Sequence, residues 1–276
     1  MPALPSRMFG TQASTQSDAP GLSLLALGVG NSRTRWGIFS GRELIESASE
    51  PNGASLSALL ADRARAAGVT RVALASVNDQ AADPLARALA GAVEGGVVRI
   101  GRDIAPPLRH SLDDASTLGI DRALCACAAW ELLGSACAVI DAGTAITVDF
   151  IDGEGVFQGG AISPGLNLML RALGEHTSSL PTIGFTPPDP GRGPFGKDTR
   201  HAMLLGVMAS ARGMVRDLVE RYAEAYGAYP RVIATGGDAQ VLFEGDGLVE
   251  RLVPDLQLIG VQRTLEAALR DQPEEF

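Results

Sequence analysis

The spacing of apolar residues changes several times along the chain, and these changes predict alternating strands and helices. Short apolar runs that end at glycine or at polar residues predict strands, whereas apolar residues three or four positions apart predict helices. Up to residue 101 the order is β-β-α-β-α-β, which is typical of a mixed α/β layer. The pattern predicts strands over 22–27, 71–77 and 96–101, a hairpin that turns at Ser40-Gly41, and helices over 55–67 and 83–93.

The second half of the chain repeats this beginning. A helix is predicted over 116–134, and CAVIDAGTAITVDFIDGEGVFQGGAIS at 137–163 then predicts a strand, a turn and two further strands. VGNS at 29–32 and AGTA at 142–145 each lie between two apolar strands. The remaining pattern predicts a helix over 166–176, one long helix or a bent pair over 198–227, a strand, a Gly-Gly turn and a helix over 230–242, and a final helix.

The repeat predicts two similar α/β lobes. We assign residues 22–115 to an N-terminal lobe and residues 116–276 to a C-terminal lobe. The two equivalent turns would then face each other across a cleft, and clefts between lobes are frequent ligand sites.

Charge and cysteine content narrow the class of protein. The chain has 276 residues and a formal net charge of -9, so we expect neither a nucleic acid nor a membrane as partner. No apolar stretch reaches the ~18 residues that span a membrane. Three cysteines without a framework spacing predict reduced thiols and a cytoplasmic location. The Ser-, Gln- and Pro-rich beginning predicts a disordered tail over 1–21 instead of a signal peptide.

The first candidate site follows Asp141, which ends a predicted strand and is followed by the turn Ala142-Gly143-Thr144. Glycine lets backbone N–H groups approach a phosphate closely, and a carboxylate beside phosphates requires a cation. A plain tight turn is the alternative interpretation.

Two further stretches carry candidate chemistry. Asp121-Arg122 lies near a helix start, where the carboxylate could take the proton of a substrate hydroxyl and the arginine could orient an anion. The alternative is a favourable partner for the helix dipole beside a solvated charge. Thr235-Gly236-Gly237 ends a strand before a helix and leaves room for a flat ring or a phosphate, unless it is only a turn.

In their order along the chain, these stretches resemble the type III pantothenate kinase family of the acetate-kinase/sugar-kinase/Hsp70/actin superfamily. The resemblance covers about residues 22–265 and implies two ribonuclease-H-like lobes with mixed sheets flanked by helices, an actin-like duplication, and a homodimer. It also implies that ATP, magnesium and a monovalent cation (potassium or ammonium) serve the phosphorylation of pantothenate, the first step of coenzyme A synthesis. The motifs are VGNSRTRW, GIDR, VIDAGTAITVDFID, GGAISPGL, HTSSLP, GKDTRHAMLLG and VIATGGDA.

The resemblance also implies roles for single residues. Asp121 would be the general base that faces the pantothenate hydroxyl, and Asp141 would bind the monovalent cation. Gly119, Arg122 and Thr199 would lie on the pantothenate side, with Thr199 at the dimer interface. The residues on the nucleotide side would be Gly30, Asn31, Gly143, Thr144, Gly236 and Gly237.

Two motifs depart from the family pattern. Gly28 stands where the family has an aspartate, and Leu112 and Ala115 stand where it has a tyrosine and a proline. Loss of an oxygen partner typically lowers metal affinity or activity by ~10–100-fold. We therefore expect ATP binding with poor use of magnesium, and Gly28→Asp should raise turnover and lower the magnesium requirement. The alternative is that another carboxylate, Asp149 or Asp238, has taken over.

The same departures leave alternatives to pantothenate phosphorylation open. Gly28 and Leu112 allow a catalytically weak relative that acts as a binding or regulatory module, and Leu112 with Ala115 allows a kinase for another small hydroxylated acid. The broad apolar stripe of the helix predicted over 198–226 favours a homodimer, with burial in the core as the alternative.

Overall fold

The computed structural model describes residues 23–271, and their strands form two mixed sheets. The tail predicted over 1–21 lies outside these residues. The strands are β1 (Ser23–Val29), β2 (Arg33–Ser40), β3 (Glu43–Pro51), β4 (Arg71–Ser76), β5 (Val97–Ile100), β6 (Arg109–His110), β7 (Cys137–Ala142), β8 (Ala145–Ile151), β9 (Val156–Pro164), β10 (Arg231–Thr235) and β11 (Arg251–Leu252). The helices are α1 (Ala54–Ala66), α2 (Asp79–Ala90), α3 (Ile120–Leu133), α4 (Leu166–Glu175), α5 (Thr199–Tyr226), α6 (Ala239–Phe243) and α7 (Leu256–Asp271).

Both sheets follow one plan around a central strand. The first sheet has the order β3-β2-β1-β4-β5, and the second has β11-β10-β7-β8-β9-β6. Strand β1 pairs antiparallel with β2 and parallel with β4, and β7 pairs in the same way with β8 and β10. Gly28 and Asp141 hold equivalent places, because each is the last residue but one of its central strand. The predicted duplication of an α/β lobe with a mixed sheet is confirmed.

Helices α3 and α7 form a layer between the two sheets. Leu124 of α3 and Leu258 of α7 pack in the core of the first sheet, whereas Cys125 and Leu256 of the same helices pack in the core of the second. The helices cross very closely at Gly260, where an added Cβ would lie 2.3 Å from the carbonyl oxygen of Leu124. Helices α1 and α2 cover the outer face of the first sheet, and α4, α5 and α6 cover the outer face of the second.

The chain passes between the two sheets more than once. Strand β6 pairs with β9 of the second sheet, although it precedes residue 115. Helix α7 packs against β1 and β4 of the first sheet, although it ends the described part of the chain. The division into 22–115 and 116–276 stays a prediction.

Helix α5 is one uninterrupted helix of 28 residues. It begins where the Asp198 carboxylate accepts a hydrogen bond of 2.8 Å from the backbone N–H of His201, and it ends at Gly227, whose φ of 82° is left-handed. Its apolar stripe is largely buried against the second sheet of its own chain. Burial in the core therefore accounts for most of the stripe. Within residues 23–271, no helix has both the length and the hydropathy to cross a membrane.

Candidate functional site

A cavity of about 320 Å³ lies where β1 and β7 end, between the two sheets. The turn that follows each of these strands contributes to its wall, and so does the start of α3. The structure thus brings together residues that the sequence places far apart. Those predicted from the sequence are Gly30, Asn31, Asp121, Asp141, Gly143, Thr144, Gly236 and Gly237.

The two turns use their glycine N–H groups internally. The N–H of Gly30 donates to the carbonyl of Arg33, and the N–H of Gly143 donates to the carbonyl of Ala145, both at 2.9 Å. Asn52 supports the first turn, because its side-chain amide donates to the carbonyl of Gly30 at 2.9 Å. These glycines therefore shape the turns and leave room for a ligand, while their own N–H groups are already engaged.

Asp121 is held in place by the first turn of α3. Its Oδ1 accepts a hydrogen bond of 2.9 Å from the backbone N–H of Arg122. The same atom lies over Gly119, where an added Cβ would come within 2.5 Å of it. Because a side chain at residue 119 would meet this atom, glycine there leaves room for the Asp121 carboxylate; Gly119 itself lines a neighbouring cavity of about 360 Å³.

Asp141 is a half-buried carboxylate near the end of β7. Burial and the nearby charges of Asp121 and Asp149 raise its pKa to about 6, and the smaller opposing influence comes from Arg35. Gly236 lies against it with a left-handed φ of 95°, and an added Cβ there would be 2.5 Å from Asp141 Oδ1. A carboxylate in such surroundings is suited to hold a cation.

Arg122 is paired with Asp149. Its Nε lies 3.1 Å from both carboxylate oxygens, and Asp149 is only 2 % exposed. Burial lowers the pKa of Arg122, but the hydrogen bonds and the charge of Asp149 outweigh this effect and raise it above its ordinary value. Neither Asp149 nor Asp238 lines the cavity, so the structure offers no support for either of them as the replacement for a carboxylate at position 28.

The space beside Gly28 in the cavity wall is occupied by another side chain. A Cβ added to Gly28 would lie 2.3 Å from Oε1 and 2.7 Å from Cδ of Gln257, at the start of α7. The predicted rise in turnover of Gly28→Asp therefore depends on a movement of Gln257, because the new side chain could enter only if Gln257 moved away.

Sequence reasoning missed several residues of the cavity. Arg33 and Arg35 could have been found, because two basic residues with strand spacing directly follow the first turn. Gln257 carries no local signal, because it reaches the cavity only through the docking of α7. The others are Val29, Ser49, Val77, Ala145 and Thr147, whereas Gly28, which the sequence had already singled out, also lines the cavity.

The remaining predicted positions lie outside the cavity wall. Thr199 is exposed in the first turn of α5. Leu112 packs against the apolar cluster around α3, and Ala115 begins a 3-10 turn that Asp114 caps.

The donors in the cavity suit a magnesium ion that is held mainly by phosphates and water. In the part of the chain that the structure describes, no group of three or more His, Cys, Asp or Glu side chains could hold a metal ion by itself. Mg²⁺ commonly takes one or two carboxylates and completes its shell with substrate phosphates and water. The cavity wall offers hard oxygen atoms from the Thr144 hydroxyl and from the carboxylates of Asp121 and Asp141, which suit magnesium and a monovalent cation alike.

Fold and site together define a class. Two mixed sheets built on one plan and flanked by helices form a fold of the actin-like ATPase and sugar-kinase type. Component A of (R)-2-hydroxyglutaryl-CoA dehydratase from Acidaminococcus fermentans has a similar fold, with a TM-score of 0.51 at 16 % identity over 92 % of this chain and 100 % of that chain.

The sequence profile of the type III pantothenate kinases matches residues 24–221, and the chain belongs to this family. A type III pantothenate kinase from Dehalococcoides mccartyi is 30 % identical over 249 residues, which cover 87 % of this chain and 95 % of the relative. A type III pantothenate kinase from Frankia alni is 31 % identical over 251 residues, which cover 88 % and 98 %. The family predicted from the motifs is confirmed, and with it a kinase.

Proposed function

We propose that this chain transfers the γ-phosphoryl group of ATP to the primary hydroxyl of pantothenate and so forms 4'-phosphopantothenate for coenzyme A synthesis. The observation that carries the proposal is the presence of Asp121 in the same cavity as the turns of both lobes. Phosphoryl transfer depends mainly on in-line positioning and on neutralisation of charge, and a cavity between two lobes can supply both.

The nucleotide would lie along the two turns. Asn31 and Thr144 would contact its phosphates, while Gly30 and Gly143 allow the phosphates to approach the backbone. Gly236 and Gly237 would leave room for the nucleoside at the start of α6. Magnesium, when bound, would neutralise charge on the phosphate oxygens.

On the acceptor side, Asp121 would take the proton of the pantothenate hydroxyl. The hydrogen bond from the Arg122 N–H fixes the direction of its carboxylate, and Gly119 keeps the space beside it open. Arg122 would orient the acceptor while it remains paired with Asp149. Asp141 would hold the monovalent cation, because burial makes its uncompensated charge unfavourable.

We further propose a cytoplasmic homodimer. Thr199 is exposed and lies outside the cavity wall of its own chain, so a role toward pantothenate requires a second chain beside it. Large apolar side chains on the surface, among them Ile162, Phe195 and Tyr229, which are 66 %, 71 % and 72 % exposed, support an interface. Light scattering at micromolar concentration should give twice the mass of the chain, and an active monomer would contradict the dimer.

The test is an assay of ADP release with ATP, magnesium, potassium and pantothenate. Asp121→Asn should lower turnover by ~10²–10⁴-fold while nucleotide affinity stays unchanged. Asp113→Asn, which removes an exposed carboxylate outside the cavity wall, should behave like the unaltered protein. Near-normal turnover of Asp121→Asn would remove this residue from the mechanism.

Leu112 supports a second candidate, a kinase for another small hydroxylated acid, because an apolar side chain cannot make the hydrogen bonds of a tyrosine. A panel of hydroxylated acids in the same assay distinguishes the two candidates. Nucleotide binding without turnover on any member of the panel would instead indicate a binding module.

A further inference from the structure

The duplication of the lobes exposes an asymmetry between two equivalent positions. Asp141 in the second lobe places a carboxylate in the cavity, whereas Gly28, at the same place in the first lobe, has no side chain. The side-chain amide of Gln257 fills the space above Gly28, with Oε1, Cδ and Nε2 at 2.3, 2.7 and 3.1 Å from the position of a Cβ. A polar side chain from the start of α7 thus lines this wall of the cavity.

Contacts from both sheets fix the start of α7, which carries this amide. Arg35 of the first sheet donates to the carbonyl of Pro254 and to the Asp255 carboxylate, both at 2.8 Å. Thr235 of the second sheet donates to the same Pro254 carbonyl at 3.2 Å. These contacts fix the backbone at the start of α7, from which the side chain of Gln257 reaches the space above Gly28.

We propose that Gln257 contacts the magnesium–phosphate group of the bound nucleotide and takes, as a neutral oxygen donor, the place that Asp141 has in the second lobe. Side-chain amide oxygens are hard donors that accept hydrogen bonds from metal-bound water or bind the ion directly. A neutral donor beside phosphates also avoids a third carboxylate in a cavity that already holds Asp121 and Asp141. This assignment rests on the proposed use of ATP.

The test measures the affinity of a non-hydrolysable ATP analogue by calorimetry, with magnesium and with a chelator. In the unaltered protein, magnesium should tighten binding. Gln257→Ala should reduce this gain in affinity from magnesium by about 10-fold. Without magnesium, its affinity should stay within about 2-fold of that of the unaltered protein. Gly28→Asp combined with Gln257→Ala should restore the gain, because the carboxylate then has room to enter.

Gln262→Ala is the matched control, since this glutamine lies on the same helix and bonds to the carbonyl of Gly41. It should keep the full gain from magnesium. Gln257→Glu has nearly the same shape and should increase the gain, which provides a test if the alanine variant does not fold.

The outcomes separate this assignment from the proposed function. An unchanged gain in Gln257→Ala overturns the role of Gln257 and leaves the kinase intact. An equal loss with and without magnesium also overturns it, because the amide would then serve the nucleotide alone. Failure of the unaltered protein to bind the analogue under either condition overturns the proposed use of ATP, and the Gln257 assignment with it.

Discussion

The crossing of α3 and α7 at Gly260 gives a sharp prediction for stability and for turnover. A Cβ at residue 260 would lie 2.3 Å from the carbonyl oxygen, 2.7 Å from the carbonyl carbon and 2.9 Å from the Cβ of Leu124. Two of these atoms belong to the backbone, so no side-chain rotation can relieve the clash. The helices would have to separate by about 1 Å, since ordinary contacts of a Cβ begin near 3.4 Å.

Gly260→Ala should therefore destabilise the protein, although alanine is the better helix former. Overpacking of a core typically costs about 1–3 kcal/mol, whereas the change from glycine to alanine within a helix gains only about 1 kcal/mol. We expect a net loss near the upper end, about 2 kcal/mol, because the clash is with backbone. Gly213→Ala in α5 is the matched control, since a Cβ there has nothing within 4 Å, and it should stabilise by about 0.5–1 kcal/mol.

Urea unfolding followed by circular dichroism measures both changes. The expected loss corresponds to a fall in melting temperature of about 4–8 °C for a chain of this size. Helix α3 carries Asp121 and α7 carries Gln257, so the separation should also lower turnover of the folded variant. If Gly260→Ala is as stable as the unaltered protein, the close crossing does not exist.

Three further predictions concern the site and the thiols. Gly119→Ala should lower turnover by about 10²-fold with nucleotide affinity unchanged, because the new Cβ displaces the Asp121 carboxylate; normal turnover would contradict the packing of that carboxylate against Gly119. Asp141→Asn should stabilise the cation-free protein above pH 6 by up to about 3 kcal/mol, because folding raises this pKa from 3.8 to about 6. The difference should vanish as the pH falls toward 3.8 and shrink when potassium is added, and urea unfolding that shows no gain at alkaline pH would contradict it. Burial raises the pKa of all three thiols, two of them to about 12, so a thiol reagent should label the cysteines only after unfolding; fast labelling of the native protein would refute this.

The order of strands and helices could be predicted from the sequence because it depends on local spacing. The alternation in β2 and β3 around the turn at Gly41 and the repeated turns at Gly30 and Gly143 are each contained in a few neighbouring residues. The duplication follows from comparing two such stretches. The motifs carried enough of this local pattern to identify the family as well.

The details of the site were beyond the sequence because they depend on contacts between distant segments. Whether Arg122 stands free or pairs with Asp149 is decided when α3 packs on β8. The stripe of α5 fits a dimer as well as a core until the second sheet is seen beneath it. Local spacing records which face of a helix is apolar, but it does not record what covers that face.

Position 28 shows most clearly which features the sequence determines and which depend on the tertiary structure. The sequence by itself determined that an apolar strand leads into this glycine and that a phosphate-type turn follows. Only the tertiary structure decided that the space above this glycine is filled, because α7 docks between the sheets and brings Gln257 to it. The reason is physical: local residues set the backbone conformation of the turn, whereas the side chains around it come from wherever the packing of the core places them.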